Sequence, residues 1–195
     1  DYKLSEKAQR YVNEIQRVEK SSPAEENISQ QEFYGYLGDL YDALAMEHYR
    51  HYQMEETMAA SRKSLAYFDM AGDNAGYIFA SELIASVAKL LNEYKIAADA
   101  LSSALERAVE MGDKDAEVKL LIQYYAVAVK QKDSRKIYET LAALSSVDRN
   151  SLDANTRIDL IRHDFDYALG VGDLDLAAVH LAEYQKEIEI LPDEL

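Results

Sequence analysis

The stretch NEYKIAADALSSALERAVEMGD, residues 92–113, decides the fold. It opens on a polar break, Asn92-Glu93, and then carries Ile96, Ala97, Ala100, Leu101, Ala104, Leu105, Ala108 and Val109 at spacings of three and four. That is one apolar face of a helix. The stretch closes on Gly112, suited to a left-handed C-cap, and Asp113, suited to N-cap the next helix. Upstream, Gly76 to Asn92 repeats the pattern with Ile78, Leu83, Ile84, Val87, Ala88 and Leu91. The two runs together read as a helix pair.

Working outward, the pair recurs. Asp73, Asp113, Asp153 and Asp193 fall forty residues apart, and the same shift aligns Gln53, Glu93, Asp133 and Asp173. It also aligns Thr57, Ala97, Ile137 and Ala177, then Ser61, Leu101, Leu141 and Leu181. A constant period without insertions is the mark of a repeat array. The last unit shows a helix to about Leu169, a Gly170-Val171-Gly172 turn, Asp173 as N-cap, and a second helix through Leu181 and Ile188. The first unit starts at a capping box, Ser29-Gln30-Gln31-Glu32. Ahead of it, Leu4 to about Lys20 is one more amphipathic helix, closed by Ser21-Ser22-Pro23. The expected organisation is an N-terminal helix and loop over 1–28, then repeats over about 29–72, 73–112, 113–152 and 153–192, within 29–195.

Composition narrows the function. Of 195 residues, 21 are Lys or Arg and 36 Asp or Glu, a net charge of −15, which repels phosphate backbones and excludes nucleic acid as a partner of this segment. The absence of Cys removes disulfides, cysteine zinc sites and thiol nucleophiles. There is no apolar run of membrane-spanning length and no signal-like N-terminus, so a cytoplasmic location is expected, with the periplasm equally compatible with a cysteine-free chain. The chain opens at Asp1 rather than Met, which points to a processed protein or an excised domain.

The small residues at this spacing resemble the tetratricopeptide repeat family. Ala85, Tyr94, Ala97, Leu101, Ala104 and Leu105, with the Asn92-Glu93-Tyr94 turn, carry the resemblance best. Ala45, Thr57 and Ser64 carry it in the first unit, and Gly172-Asp173-Leu174, Ala177 and Leu181 in the last. Tyr125, Phe165 and Tyr184 stand where the family has small residues. The forty-residue period is longer than the usual 34 or so, and this long form resembles tetratricopeptide-like domains of bacterial signalling and regulatory proteins. The resemblance implies an all-α, right-handed α-α superhelix, a tetratricopeptide-like solenoid of four helix pairs plus the N-terminal helix. In it the first helix of each pair lines a concave, ligand-binding face.

Candidate chemistry is sparse. His48 and His51 lie a turn apart beside Glu47 and Glu55, a spacing open to a divalent metal, but capping of the aromatic end of the first helix is the simpler reading. No Glu-x-x-His or His-Glu-x-x-His occurs, and Gly35-x-x-Gly38 lies inside an amphipathic helix without a flanking strand. The chain is therefore read as a non-enzyme without metal or cofactor. The concave face is expected to present Asp39, Asp42, Met46 and Tyr49; Phe79, Glu82, Ser86 and Lys89; Lys119, Ile122, Ala126 and Val129; and Asp159, Arg162 and Asp166. Tyr34, Tyr41 and His48 repeat every seven residues, a packing stripe, which leaves Tyr49 as the better ligand contact. Acidic ends and an apolar middle suit a peptide with a hydrophobic centre and basic flanks. The expected function is a non-catalytic binding module for a peptide or a partner protein's helix. A regulatory sensor domain, controlling an attached enzyme such as a diguanylate cyclase or a DNA-binding domain, is the first alternative. An oligomerisation scaffold is the second, with a homodimer built on the apolar terminal helix (Leu174, Leu176, Ile190, Leu191).

Overall fold

The computed structural model describes residues 5–190, with the side chain of Ile190 left undescribed. The described residues form helices α1 (Glu6–Val18), α2 (Gln30–Arg50), α3 (Met54–Ala71), α4 (Asn74–Leu90), α5 (Tyr94–Met111), α6 (Lys114–Gln131), α7 (Ser134–Ser145), α8 (Ala154–Val171) and α9 (Leu174–Ile190), and no strand among them. A single 3-10 turn, Arg149–Ser151, precedes α8. This is an all-α helical-repeat fold.

The caps explain the boundaries. The Asp73, Asp113, Asp133 and Asp153 carboxylates accept the amide protons of Gly76, Ala116, Lys136 and Thr156, starting α4, α6, α7 and α8. Asp173 does the same for Leu176 at the start of α9. Ser29 and Glu32 form the full capping box on α2, and its two orphan donors are satisfied reciprocally. The turns show a period of their own. Tyr52, Asn92, Lys132 and Gly172, forty residues apart, take φ of 58°, 60°, 57° and 81°. Gly72 and Gly112, each at 69°, close the second helix of the first two pairs.

The chain divides into two compact units at Arg107/Ala108, inside α5. In the first, α1 packs on α2, α2 on α3, α3 on α4, and α2 and α4 also touch. Ser5 caps α1 by accepting from Ala8 N, while its hydroxyl donates to Glu47 of α2 at 2.8 Å. The core is Leu37, Leu40, Leu44 and Ala45 against Met58, Ser61, Ser64 and Phe68, closed by Ile78, Leu83 and Ala85. Phe68 explains two glycines. A Cβ at Gly38 would lie 2.6 Å from its ring, and one at Gly76 2.5 Å. Only the bare backbones of α2 and α4 can approach α3 this closely.

In the second unit α6 packs on α7 and α8, and α8 on α9. Here the array is less regular, because α7 ends at Ser145, a turn and a half short of its counterparts. Ser145 and Ser146 turn their hydroxyls back onto the carbonyls of Ala142 and Ala143, and Asp148 caps the 3-10 turn instead. Serines that bond their own backbone compete with helix continuation. Asp153 nevertheless keeps the forty-residue register.

Candidate functional site

The first helices of the pairs sit side by side within each unit, α2 with α4 and α6 with α8. Their shared faces carry the residues marked out by the register. In the first unit, Asp39 is exposed and Asp42, Met46 and Tyr49 on α2 are half-buried; on α4, Phe79 is 47 % exposed and Glu82, Ser86 and Lys89 are half-buried. Asp42 is the perturbed group. Its Oδ1 is buried without a hydrogen-bond partner among the described residues, and burial, with a smaller push from Asp39, raises its carboxyl to about 6. Asp39 is raised too, by burial and then by Asp73. Opposite them, burial lowers Lys89, against the pull of Glu82. Charge here is held away from water at some cost.

In the second unit Ile122, Ala126 and Val129 of α6 and Asp159, Arg162 and Asp166 of α8 line one pocket of about 380 Å³. The spacing argument named all six. Three further residues complete it: Tyr125, Lys130 and His163. Arg162 donates to Asp159 at 2.8 Å, so these two charges neutralise each other. Lys119, expected on the same face, instead pairs with the cap residue Asp153 at 3.7 Å. His163 is 7 % exposed, and its Nε2 is buried without a partner among the described residues. The Tyr125 ring meets it edge-on at 4.7 Å. Burial lowers the His163 pKa despite the opposing fields of Asp164 and Asp166, so the ring is neutral near pH 7.

His163 was not among the sequence-derived residues. Its forty-residue equivalent is Gln123, also polar and half-buried, while the buried apolar counterpart, Leu83, lies two units back.

The other histidines are hydrogen-bonded. His48 Nδ1 lies 2.5 Å from Gln53 Oε1, and His51 Nε2 3.2 Å from Glu47 Oε1. Glu47 is also bonded to Ser5, the main cause of its lowered pKa. The tyrosine stripe packs as well. Tyr34 and Tyr41 stack on Tyr67, and the Tyr41 and Tyr67 hydroxyls donate to Glu19. A second cavity, about 540 Å³, lies under the shortened α7 among Leu141, Leu144, Tyr167 and Leu176. Its charged groups satisfy one another: Arg149 bonds Asp164 and Glu183, and His180 bonds Glu183. Among the described residues no helix is long and apolar enough to cross a membrane.

These features define the chain as an all-α helical repeat with a pocketed inter-helix face. Its fold is similar to a solved structure, the crystal structure of BtubC (BKLC) from P. vanneervenii, with a TM-score of 0.69 at 13% sequence identity over 95% of this chain and 74% of that chain. No family model matches the sequence, and no curated protein does.

Proposed function

We propose that the chain is a non-catalytic binding module of tetratricopeptide-like design. Within each unit, the face between the first helices (α2/α4 in one, α6/α8 in the other) serves as a seat for a peptide or a helix of a partner protein. The observation that carries this reading is the α6–α8 pocket, where six residues chosen only by their register line one depression. An apolar wall with a few convergent polar groups is the usual make-up of a recognition site. On the α2/α4 face, the half-buried acid Asp42 favours a basic ligand group. The test is a peptide array probed with the full chain, followed by Asp42→Lys, Glu82→Lys and Ile122→Asp. Loss of binding in Ile122→Asp and weakening in the two charge reversals are expected. Undiminished binding in all three would remove the faces as readers.

A second reading, the oligomerisation scaffold, has its own observation. Leu174, Leu181 and Ile188 recur every seven residues on α9 and are 70 %, 43 % and 44 % exposed. At the positions equivalent to Leu181 and Ile188, Leu101 and Ala108 of α5 and Ser61 and Phe68 of α3 are at most 3 % exposed. Thus α9 carries, at Leu181 and Ile188, residues of the buried type on a face left open among the described residues. Leu191, also cited for this role, lies outside the described residues. Sedimentation equilibrium should show concentration-dependent self-association that Leu181→Glu abolishes; a monomer at high concentration sinks this reading.

A further inference from the structure

We propose that the open face of α9 is one half of a parallel two-stranded coiled-coil seam, completed by α9 of a second copy of this chain about a twofold axis along the helix. This rests on the scaffold reading above and names the partner and its direction.

The seam is written in the spacing. Leu174, Ala178, Leu181, Gln185 and Ile188 alternate steps of four and three, the d–a–d–a–d order of a heptad. All five are exposed, Leu174 by 70 %. At 3.6 residues per turn they form one stripe, and Ala177, 3 % exposed, marks its edge toward the packed side of the helix. On α3 the same register, Met58, Ser61 and Phe68, is buried, in the unit where α4 packs on α3. One pair back, α7 breaks the stripe, with Ser134 and Asp148 in the places of Leu174 and Ile188. The apolar stripe of α9 is therefore not a copy of its neighbour's.

Charge selects the occupant and its direction. None of the five seam residues is charged, so an identical stripe meets no repulsion there. Beside it, Asp175, Ala182 and Glu189 hold the e positions, and Ala177 and Tyr184 the g positions. Two antiparallel copies centred on Leu181 set Asp175 against Glu189 of the partner copy, and do so twice. Two parallel copies set e against g instead: Ala182 meets Ala177, and Glu189 meets the neutral phenol of Tyr184. Like-charge contacts across an interface are costly, so the parallel pair is preferred. The acids on the other side, Glu183 and Glu187, are already bound to Arg149 and Arg157. In the parallel pair Gln185 faces its own copy, and a single polar a position fixes register at a cost in affinity. Packing on α8 already holds α9 as a helix, so two heptads suffice without the nucleation cost of a free peptide. One term opposes association: each copy carries a net charge of −15. Salt screens that repulsion, so the pair tightens with ionic strength, whereas a seat for a basic helix would loosen.

The chain has no Cys, so an introduced one is its sole thiol. Leu174→Cys, Leu181→Cys, Ile188→Cys and the off-seam control Val179→Cys, 54 % exposed in the parent, are oxidised with copper phenanthroline and followed on non-reducing gels. Circular dichroism checks that each variant keeps its helical signal. All three seam variants should cross-link at least about tenfold faster than Val179→Cys. Antiparallel copies would hold the two residues 174 about 21 Å apart along the axis, beyond the roughly 4.4–6.8 Å between Cα atoms that a disulfide spans. Cross-linking at residue 181 alone therefore overturns the parallel seam and leaves the scaffold reading standing. Sedimentation equilibrium of the unaltered chain should show a dimer several-fold tighter in 0.5 M than in 0.05 M NaCl. A dimer that weakens with salt, or that forms without seam cross-links, also overturns the seam alone. A monomer at high concentration removes both readings and leaves the stripe to a helix of a different protein.

Discussion

Replacing Gly38 by alanine tests the packing that brings α2 and α4 onto α3. The new Cβ would stand 2.6 Å and 2.7 Å from Phe68 Cδ1 and Cε1, whereas carbon contacts settle at about 3.5–4.0 Å. The ring must therefore retreat by about 1 Å. It is 3 % exposed, and the same two carbons lie 2.5 Å and 2.6 Å from a Cβ position at Gly76, so its edge is held between two backbones. Overpacking of this kind costs about 1–3 kcal/mol. Alanine within a helix recovers up to about 1 kcal/mol over glycine. The net expectation is a loss of about 1–2 kcal/mol, a fall of about 2–8 °C in Tm for a chain of this size. Urea denaturation followed by circular dichroism measures it. The decisive comparison is a double-mutant cycle with Phe68→Leu: in that background Gly38→Ala should be neutral or stabilising, a coupling of about 1 kcal/mol or more. A higher midpoint for Gly38→Ala alone, or the same cost in both backgrounds, would refute the packing argument.

Asp42→Asn should remove a pH dependence. The Asp42 carboxyl, raised to about 6 in the folded chain, binds its proton more tightly there than in the unfolded chain, so its contribution to stability is present at pH 4 and fades as pH rises through about 4–6. Two pK units are worth about 3 kcal/mol in full burial, and partial exposure reduces this to about 1–2 kcal/mol. The variant should match the parent at pH 4 and exceed it by that margin at pH 7.5 in urea midpoints; a less stable variant at pH 7.5 would mean the charge is compensated. Lys132→Gly should raise the unfolding free energy from urea denaturation by about 0.5–1 kcal/mol, since φ of 57° strains any side chain with a Cβ. A loss there would show that the lysine side chain holds the turn.

The fold was legible because each boundary is written in local chemistry. An aspartate that caps a helix needs only the three residues after it, so Asp73, Asp113 and Asp153 could be read from the chain alone. The small faces of α4 and α5 were legible for the same reason. The left-handed turns at Tyr52 and Lys132 were hidden, since neither residue announces a positive φ; tertiary packing imposes it. The length of α7 was hidden as well, because two serines decide it by turning on their own backbone. The same division runs through the site. Register alone put Ile122, Ala126, Val129, Asp159, Arg162 and Asp166 on one face, because helices at a fixed spacing repeat their facing positions. The buried environment of Asp42 depends on which helix comes to lie beside α2, and that information is not local. His163 falls between the two cases: its type was visible, but its burial beside Tyr125 depends on how α6 lies on α8.

The short α7 has a consequence for the order in which the molecule comes apart. It buries only Thr140 and Leu144, where α3 buries seven residues. In a chain whose pairs are held mainly by their neighbours, a thinly buried helix opens locally before a well-buried one. Amide protons of α7 will therefore exchange with solvent well before those of α3 or α4, through excursions that leave those helices folded. A ligand seated between α6 and α8 touches none of the α7 residues that let go, so its binding energy will not slow that opening. Nicking by a protease between Ser134 and Ser145 would thus report on the resting protein alone, indifferent to whether its binding faces are occupied.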